Sequence, residues 1–303
     1  MKFFNKLVAK SLPLVPKFII KKVSSKYIAG ETIEDAVRTV KELNQSGFSV
    51  TLDVLGEFIT KKSEADKNAE EYIRILEQIH QHQLNANISI KPTSMALLLD
   101  EDYCYEVMKR ILTKANEYQI FVRIDMEDLK SIDAEFRLLS KLREEFSHVG
   151  IVLQAYLKRT YEDVDKMIAA GIGLRLCKGI YIENPKYMID NANNDRLAIN
   201  PHFLSHLKKL LENKIYVGIA THDEKLVEGA YQLIRETGAR PENYEFQMLL
   251  GVREQLRDSI IQNGHRLRIY VPFGKDWYGY SVRRLNENPS IAGYVLKAML
   301  TGK

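Results

Sequence analysis

A chain of 303 residues with 45% apolar content can bury a substantial core, and no apolar run approaches the ~18 residues that a membrane span needs. Two cysteines, Cys104 and Cys177, exclude a disulfide framework and a cysteine zinc site. The net charge of +4 is unevenly placed: residues 1–30 hold seven lysines and no acid, so the remainder carries −3 by difference, which gives no reason to expect nucleic acid as a partner.

Residues 1–45 read as a basic amphipathic arm with helical character. Lys2, Lys6, Lys10, Lys17, Lys21, Lys22 and Lys26 are interleaved with Phe3, Phe4, Leu7, Val8, Leu12, Phe18, Ile19 and Ile20, and Pro13 and Pro16 interrupt the pattern. Two readings stay open for residues 1–30: packing against the body, or peripheral contact with an anionic membrane surface. A cleaved secretory signal is not expected, because the apolar stretches are short and broken.

From residue 46 the pattern alternates between short β-rich runs and charged segments of helical period. Strands are predicted at Phe48–Val54, Asn87–Ile90, Ile120–Asp125, Gly150–Ala155, Gly173–Cys177, Tyr216–Ala220, Tyr244–Gln247 and Leu267–Val271. Helices are predicted at Glu70–His82, Asp102–Glu117, Ser131–Phe146, Tyr161–Ala170, Pro201–Glu212, Glu224–Thr237 and Arg253–Asn263. Asp102 and Thr160 read as helix caps, and Gly171, Gly238 and Gly264 as stop signals. Parallel neighbours need crossover connections, so this alternation predicts an α/β protein with a parallel sheet. An open doubly wound sheet is the rival to a closed (βα)8 TIM-type barrel. Neither G-x-G-x-x-G after the first strand nor a P-loop is present, and the barrel is the expectation over residues 46–303.

In such a barrel the carboxyl ends of the strands meet at one mouth. Those ends supply Asp53, Glu57, Lys91, Asp125, Gln154, Arg175, Lys178, Thr221, His222, Asp223, Gln247 and Tyr270. Beyond them, residues 277–289 read as a final helix. At 100° per residue, Tyr280, Arg283, Arg284 and Glu287 share one face, and two guanidiniums beside a phenol make a grip for a small carboxylate.

Eight tracts, in order, resemble the catalytic domain of proline dehydrogenases in their short monofunctional bacterial form. They are Leu52–Glu57, Ser89–Pro92, Arg123–Glu127, Arg175–Tyr181, Ala220–Asp223, Phe246–Gly251, Ile269–Gly274 and Tyr280–Pro289. The resemblance implies a non-covalently bound FAD at the barrel mouth and a final helix lying over it. It further implies oxidation of L-proline to 1-pyrroline-5-carboxylate by hydride transfer to flavin N5, the first step of proline catabolism to glutamate, with electrons passed to a membrane quinone.

Position by position, the resemblance assigns Lys91, Arg283 and Arg284 to the substrate carboxylate and Tyr270 and Tyr280 to the pyrrolidine ring. Arg175 is assigned to the flavin near N5, with Asp125 beside it as a second catalytic residue. Met126, Gln154, Lys178, Gly179, Ile180, Thr221 and His222 are assigned to the cofactor, and Glu57 to a gate that pairs with the first arginine. No metal is implied. Three positions depart from the common pattern: Asp223 stands where Asn is frequent, Ile180 where Ala is usual and Cys177 where Val is common. Tyr270 is retained, which favours proline over hydroxyproline. The expected location is the cytoplasm, with peripheral attachment to the inner face of the membrane through the arm. A separate pyrroline-carboxylate dehydrogenase is an implied partner.

Two other readings stay open. A non-redox barrel lyase would use Lys178 or Lys91 as a Schiff-base amine. A non-enzymatic adaptor at the membrane surface would depend on residues 1–30 alone.

Overall fold

The computed structural model describes residues 20–21, 24–56 and 59–281. Most of the N-terminal arm, Glu57, Arg283 and Arg284 lie outside them.

Eight parallel strands close into a barrel in sequence order: β1 (Ser49–Val54), β2 (Ala86–Ile90), β3 (Val122–Ile124), β4 (Val149–Gln154), β5 (Leu174–Cys177), β6 (Val217–Ala220), β7 (Tyr244–Leu249) and β8 (Leu267–Phe273). The last strand closes on the first with Ser49 opposite Arg268 and Val54 opposite Phe273. Helices α1 (Ile33–Gln45), α2 (Lys62–Gln81), α3 (Glu101–Glu117), α4 (Ile132–Glu145), α5 (Thr160–Ala169), α6 (Asn200–Glu212), α7 (Glu224–Thr237) and α8 (Glu254–Gln262) alternate with the strands.

Alternation along each strand divides the core in two. Val50, Leu52, Ile88, Ile90, Val122, Ile124, Leu174, Leu176, Val217 and Ile219 join the buried apolar cluster that the helices cover. Their neighbours in sequence are polar and meet across the barrel interior. Thr51 donates to the Asn87 side chain at 2.5 Å, and Arg175 on β5 reaches Ser89 on β2 and Gln247 on β7. These three strands are not adjacent, so the contacts must cross the interior. Barrels of this type are commonly filled by branched apolar side chains, and this one is polar along its axis.

A buried arginine explains several small residues. Arg123 donates through Nη1 to the carbonyls of Gly173 at 2.9 Å and Ile151 at 3.1 Å, and lies over the Phe121 ring. Its burial, reinforced by the nearby Arg175, pushes its pKa down to about 9. A methyl group at Gly150 would stand 2.3 Å from the Gly173 carbonyl and 2.7 Å from the Arg123 guanidinium.

Helix α1 begins with a capping box, Thr32 Oγ1 accepting from the Asp35 amide while the Asp35 carboxylate accepts from the Thr32 amide. Its face of Ala36, Val37, Val40 and Leu43 joins the same core as the barrel, against β1 and β8. Helix α2 starts at Lys62, eight residues before the predicted Glu70. The extra turns bury only Ala65 and Ala69, residues too small to mark an apolar stripe among their charged neighbours.

Two predicted caps move. Asp100, not Asp102, caps α3 by accepting from the Tyr103 amide. Thr160 lies inside the first turn of α5 and donates its hydroxyl to the Gln154 carbonyl. The stop signals hold, with Gly171, Gly238 and Gly264 all in the left-handed region that favours glycine.

Gly150→Ala should lower the thermal unfolding midpoint and cost about 3 kcal/mol, because the methyl meets backbone and a buried cation rather than a movable side-chain tip. A differential scan of both proteins checks it, and an unchanged midpoint would show that the interior has slack there.

Candidate active site

The sites predicted at β1, β2, β3, β5 and β8 converge at the carboxyl mouth on one cluster. Its centre is the carboxylate of Asp125, just past the end of β3. Oδ1 accepts from Arg175 Nη1 at 2.7 Å and from Ser89 Oγ at 2.5 Å, while Oδ2 accepts from the Tyr270 hydroxyl at 2.8 Å. Burial pushes the Asp125 pKa up, but Arg175, Lys91, Ser89 and Tyr270 together outweigh it and hold the group below its ordinary value.

Arg175 is 7% exposed, so its charge stands in a nearly water-free setting. Its Nε donates to Gln247 Oε1 at 2.6 Å, and its guanidinium lies 5.0 Å from the centre of the Tyr270 ring. Burial first, and then the charges of Asp125 and Asp53, push the Tyr270 phenol well above its usual range, so it remains a donor.

Lys91 Nζ is gripped by both oxygens of Asp53, at 2.8 and 2.7 Å, and lies 3.9 Å from Asp125 Oδ2 and 3.5 Å from the Tyr270 hydroxyl. Asp53 is fully buried. Burial raises its pKa, Lys91 opposes this, and Asp125 repulsion adds to it. Asp53, Ser89 and Gln247 thus belong to the site, although no role was predicted for them. Asp53 and Gln247 had the signal of a polar residue at a strand end. Ser89 had only its place beside Lys91.

A second group lies around the ends of β4, β5 and β6. Gln154 Nε2 donates to the carbonyls of Glu127 at 2.8 Å and Met126 at 3.3 Å. Its Oε1 is buried with no hydrogen-bond partner among the described residues. Gly179 has φ +95°, and an added methyl would stand 2.2 Å from the Tyr156 ring, so glycine is required there by packing as well as by backbone conformation. Ile180 is exposed.

Lys178 Nζ pairs with Asp223 Oδ2 at 2.7 Å, and Asp223 also caps α7 through the Lys225 amide. The extra carboxylate at position 223 is therefore already matched by a cation and a helix N-terminus. Thr221 is buried and accepts from the Asp223 amide at 3.1 Å. His222 Nε2 accepts from the Leu249 amide at 2.9 Å.

Tyr280 sits in a separate small cluster with Ile28 and Leu55, on the last described turn, which begins at Trp277. Glu57, Arg283 and Arg284 lie outside the described residues, so their predicted places are not observed. Among the described residues no His, Cys, Asp and Glu group could hold a metal ion.

Comparison with known proteins fits this geometry. The family profile described as proline dehydrogenase matches residues 36–297. The chain belongs to the proline dehydrogenase family. It is 39% identical over 275 residues to proline dehydrogenase 1 of Bacillus subtilis (strain 168), covering 91% of this chain and 90% of that one. It is 33% identical over 285 residues to the proline dehydrogenase of Deinococcus radiodurans, covering 92% and 91%. A crystal structure of proline utilization A (PutA) from Bdellovibrio bacteriovorus, inactivated by N-propargylglycine, superposes with a TM-score of 0.80 over 88% of this chain and 33% of that one, at 23% identity. That last likeness speaks for the fold alone. Proline dehydrogenases are oxidoreductases, so the chain belongs to a redox enzyme family.

Behind the mouth, two buried acids brace the loop after β3. Glu127 accepts from the amide and hydroxyl of Thr93, and Glu135 Oε1 accepts from Ser131 Oγ at 2.7 Å and from the Glu127 amide at 3.1 Å. Burial, with the Glu127 charge adding to it, raises the Glu135 pKa to about 8 from an ordinary 4.5. The folded form then binds a proton that the unfolded chain releases, so stability falls as pH rises from about 4.5 to 8. Glu135→Gln should raise the unfolding midpoint at pH 8 and leave it nearly unchanged at pH 4.5. Midpoints measured across that range decide the point, and an equal effect at both ends would refute the burial argument.

Proposed function

We propose that this chain is an FAD-dependent proline dehydrogenase that oxidises L-proline to 1-pyrroline-5-carboxylate and passes the electrons to a membrane quinone. The observation that carries the reading is the Asp125–Arg175–Tyr270 contact set beside Lys91 at the carboxyl mouth, in a chain of this family.

The residues present fit a flavin. The buried Gln154 Oε1 is an acceptor awaiting a donor, and an isoalloxazine ring carries an N–H. Met126, Gln154, Gly179, Ile180, Thr221 and His222 would hold the cofactor, with Lys178 beside the N-terminus of α7 for its phosphates. When bound, the flavin supplies a two-electron acceptor at N5 for the substrate hydride.

The roles of the protein's own groups follow from their bonding. Asp125 is a fixed anion rather than a base, because both its oxygens already accept from donors and its pKa is held down. Its work is to hold Arg175 and the Tyr270 hydroxyl in place. The Arg175 guanidinium would offer positive charge beside a bound flavin. Tyr270 and Tyr280 exclude water from the pyrrolidine ring and orient the C–H bond that breaks.

Substrate charge is met by Lys91, Arg283 and Arg284, with Glu57 pairing to the first arginine as the gate. Among the described residues, the charged groups in contact at the mouth are two cations, Lys91 and Arg175, and two carboxyls, Asp53 and Asp125. The net attraction for a carboxylate then rests on the two arginines of the final helix. Ion pairing of Lys91 with Asp53 and of Lys178 with Asp223 argues against a Schiff-base amine at either position.

Purified protein supplied with FAD should be yellow, and L-proline should bleach it without oxygen. Asp125→Asn should slow that bleaching about a hundredfold while the protein stays yellow. Protein that remains colourless with excess FAD and ignores L-proline would rule the reading out.

No helix among the described residues is long and apolar enough to cross a membrane. Peripheral attachment on the cytoplasmic side through the basic residues 1–30 would bring the enzyme to its quinone, and a separate pyrroline-carboxylate dehydrogenase would consume the product. Binding to anionic vesicles should then be lost in high salt and after deletion of residues 1–19. Sedimentation with vesicles tests this, and equal binding to neutral vesicles would contradict it.

A further inference from the structure

We propose that Gln247 is a positioning residue that fixes the Arg175 guanidinium at the mouth, as the upper link of a buried hydrogen-bond chain rising from Arg268 through Glu245.

The chain has a single allowed direction. Arginine offers donors only, so the side-chain oxygen of Gln247 must face Arg175 Nε, at 2.6 Å. The amide nitrogen then donates to Glu245 Oε1 at 2.8 Å. Glu245 is held in turn by Arg268, through Nε at 2.5 Å and Nη2 at 3.2 Å, and Arg268 Nη1 is anchored on the Val50 carbonyl at 2.8 Å. Burial pushes the Glu245 carboxyl up, yet Arg268 outweighs it and holds the group below its ordinary value, so it stays an acceptor. Both neighbours of the Gln247 amide therefore enforce the same orientation.

Arg175 needs this link for a geometric reason. Asp125 and Ser89 both hold it through Nη1. One nitrogen is a pivot, about which a planar guanidinium can turn. The stacking contact with Tyr270 sets the height of the plane but not its rotation within that plane. Gln247 supplies a second point of attachment on a different nitrogen, and two points fix the rotation within the plane.

The neighbouring strand is shaped for it. Gly218 on β6 lies beside the Gln247 side chain, and a methyl there would stand 2.4 Å from Nε2 and 2.7 Å from Cδ. Residue 218, which pairs with Arg175 across β5 and β6, thus bears closely on the Gln247 amide.

The consequence for activity rests on the flavoenzyme reading above, and two variants of the FAD-loaded full chain test it. Gln247→Leu should lower kcat for L-proline about a hundredfold with KM within roughly threefold, and should alter the visible spectrum of the bound flavin. Gly218→Ala, which crowds the amide but keeps both of its polar ends, should move kcat and the spectrum in the same direction by less. Wild-type kcat and spectrum in both variants, with only a lower unfolding midpoint, would reduce Gln247 to a packing role. Crystal structures of the wild type and Gln247→Leu separate this claim from the functional reading. If the wild type neither binds flavin nor oxidises proline, a turned Arg175 in the variant still supports the link, and an unmoved Arg175 overturns it.

Discussion

The Asp125–Arg175 ion pair is the interaction on which the rest of the mouth depends. Both groups are nearly removed from water, and either alone would be a heavily penalised buried charge. Together they are satisfied only because Ser89, Tyr270 and Gln247 complete their hydrogen bonding. Breaking such a pair by removing one partner leaves the other uncompensated, so the arrangement is all or none. That property suits a site whose charges must not reorganise while a substrate reacts.

The same constraint shapes the barrel beneath. An interior that carries Arg123, Glu245 and Arg268 under the mouth cannot be filled with branched apolar side chains in the usual way. Room is made instead by glycine on three successive strands or strand starts: Gly150, Gly173 and Gly218. Each of the charged residues there ends on a carbonyl, a carboxylate or an amide, so the polar column runs from the floor to the mouth without breaking. Stability comes from the other side of the strands, where the helices bury the apolar set.

Much of this was legible in the sequence. Eight strand–helix alternations gave the barrel, because parallel pairing leaves few other solutions, and strand-end polarity pointed to Lys91, Asp125, Arg175 and Tyr270 together. What escaped has physical causes. The first turns of α2 bury only alanines, which carry no periodic signal. Asp100 and Asp102 are equally good caps by type, and only backbone geometry at residue 100 chooses between them. The pairing of Lys91 with Asp53 joins residues 38 apart, and that of Gln247 with Arg175 joins residues 72 apart; neither is local in sequence. A strand end announces that a residue is near the mouth but not whom it touches there.

That distinction changes how the charges at the mouth should be counted. Read along the sequence, Lys91 and Arg175 look like free cations waiting for an anion. In three dimensions each is already matched by a carboxyl, and among the described residues the contacting set comprises two cations and two acids. A small carboxylate would therefore meet, among the described groups, cations that already have acid partners. On the proposed reading the missing positive charge arrives with Arg283 and Arg284, on the helix that also carries Tyr280. On that reading the anion and the two guanidiniums need each other to be worth desolvating, so recognition of the carboxylate rests on residues that follow Tyr280 in sequence as much as on the barrel.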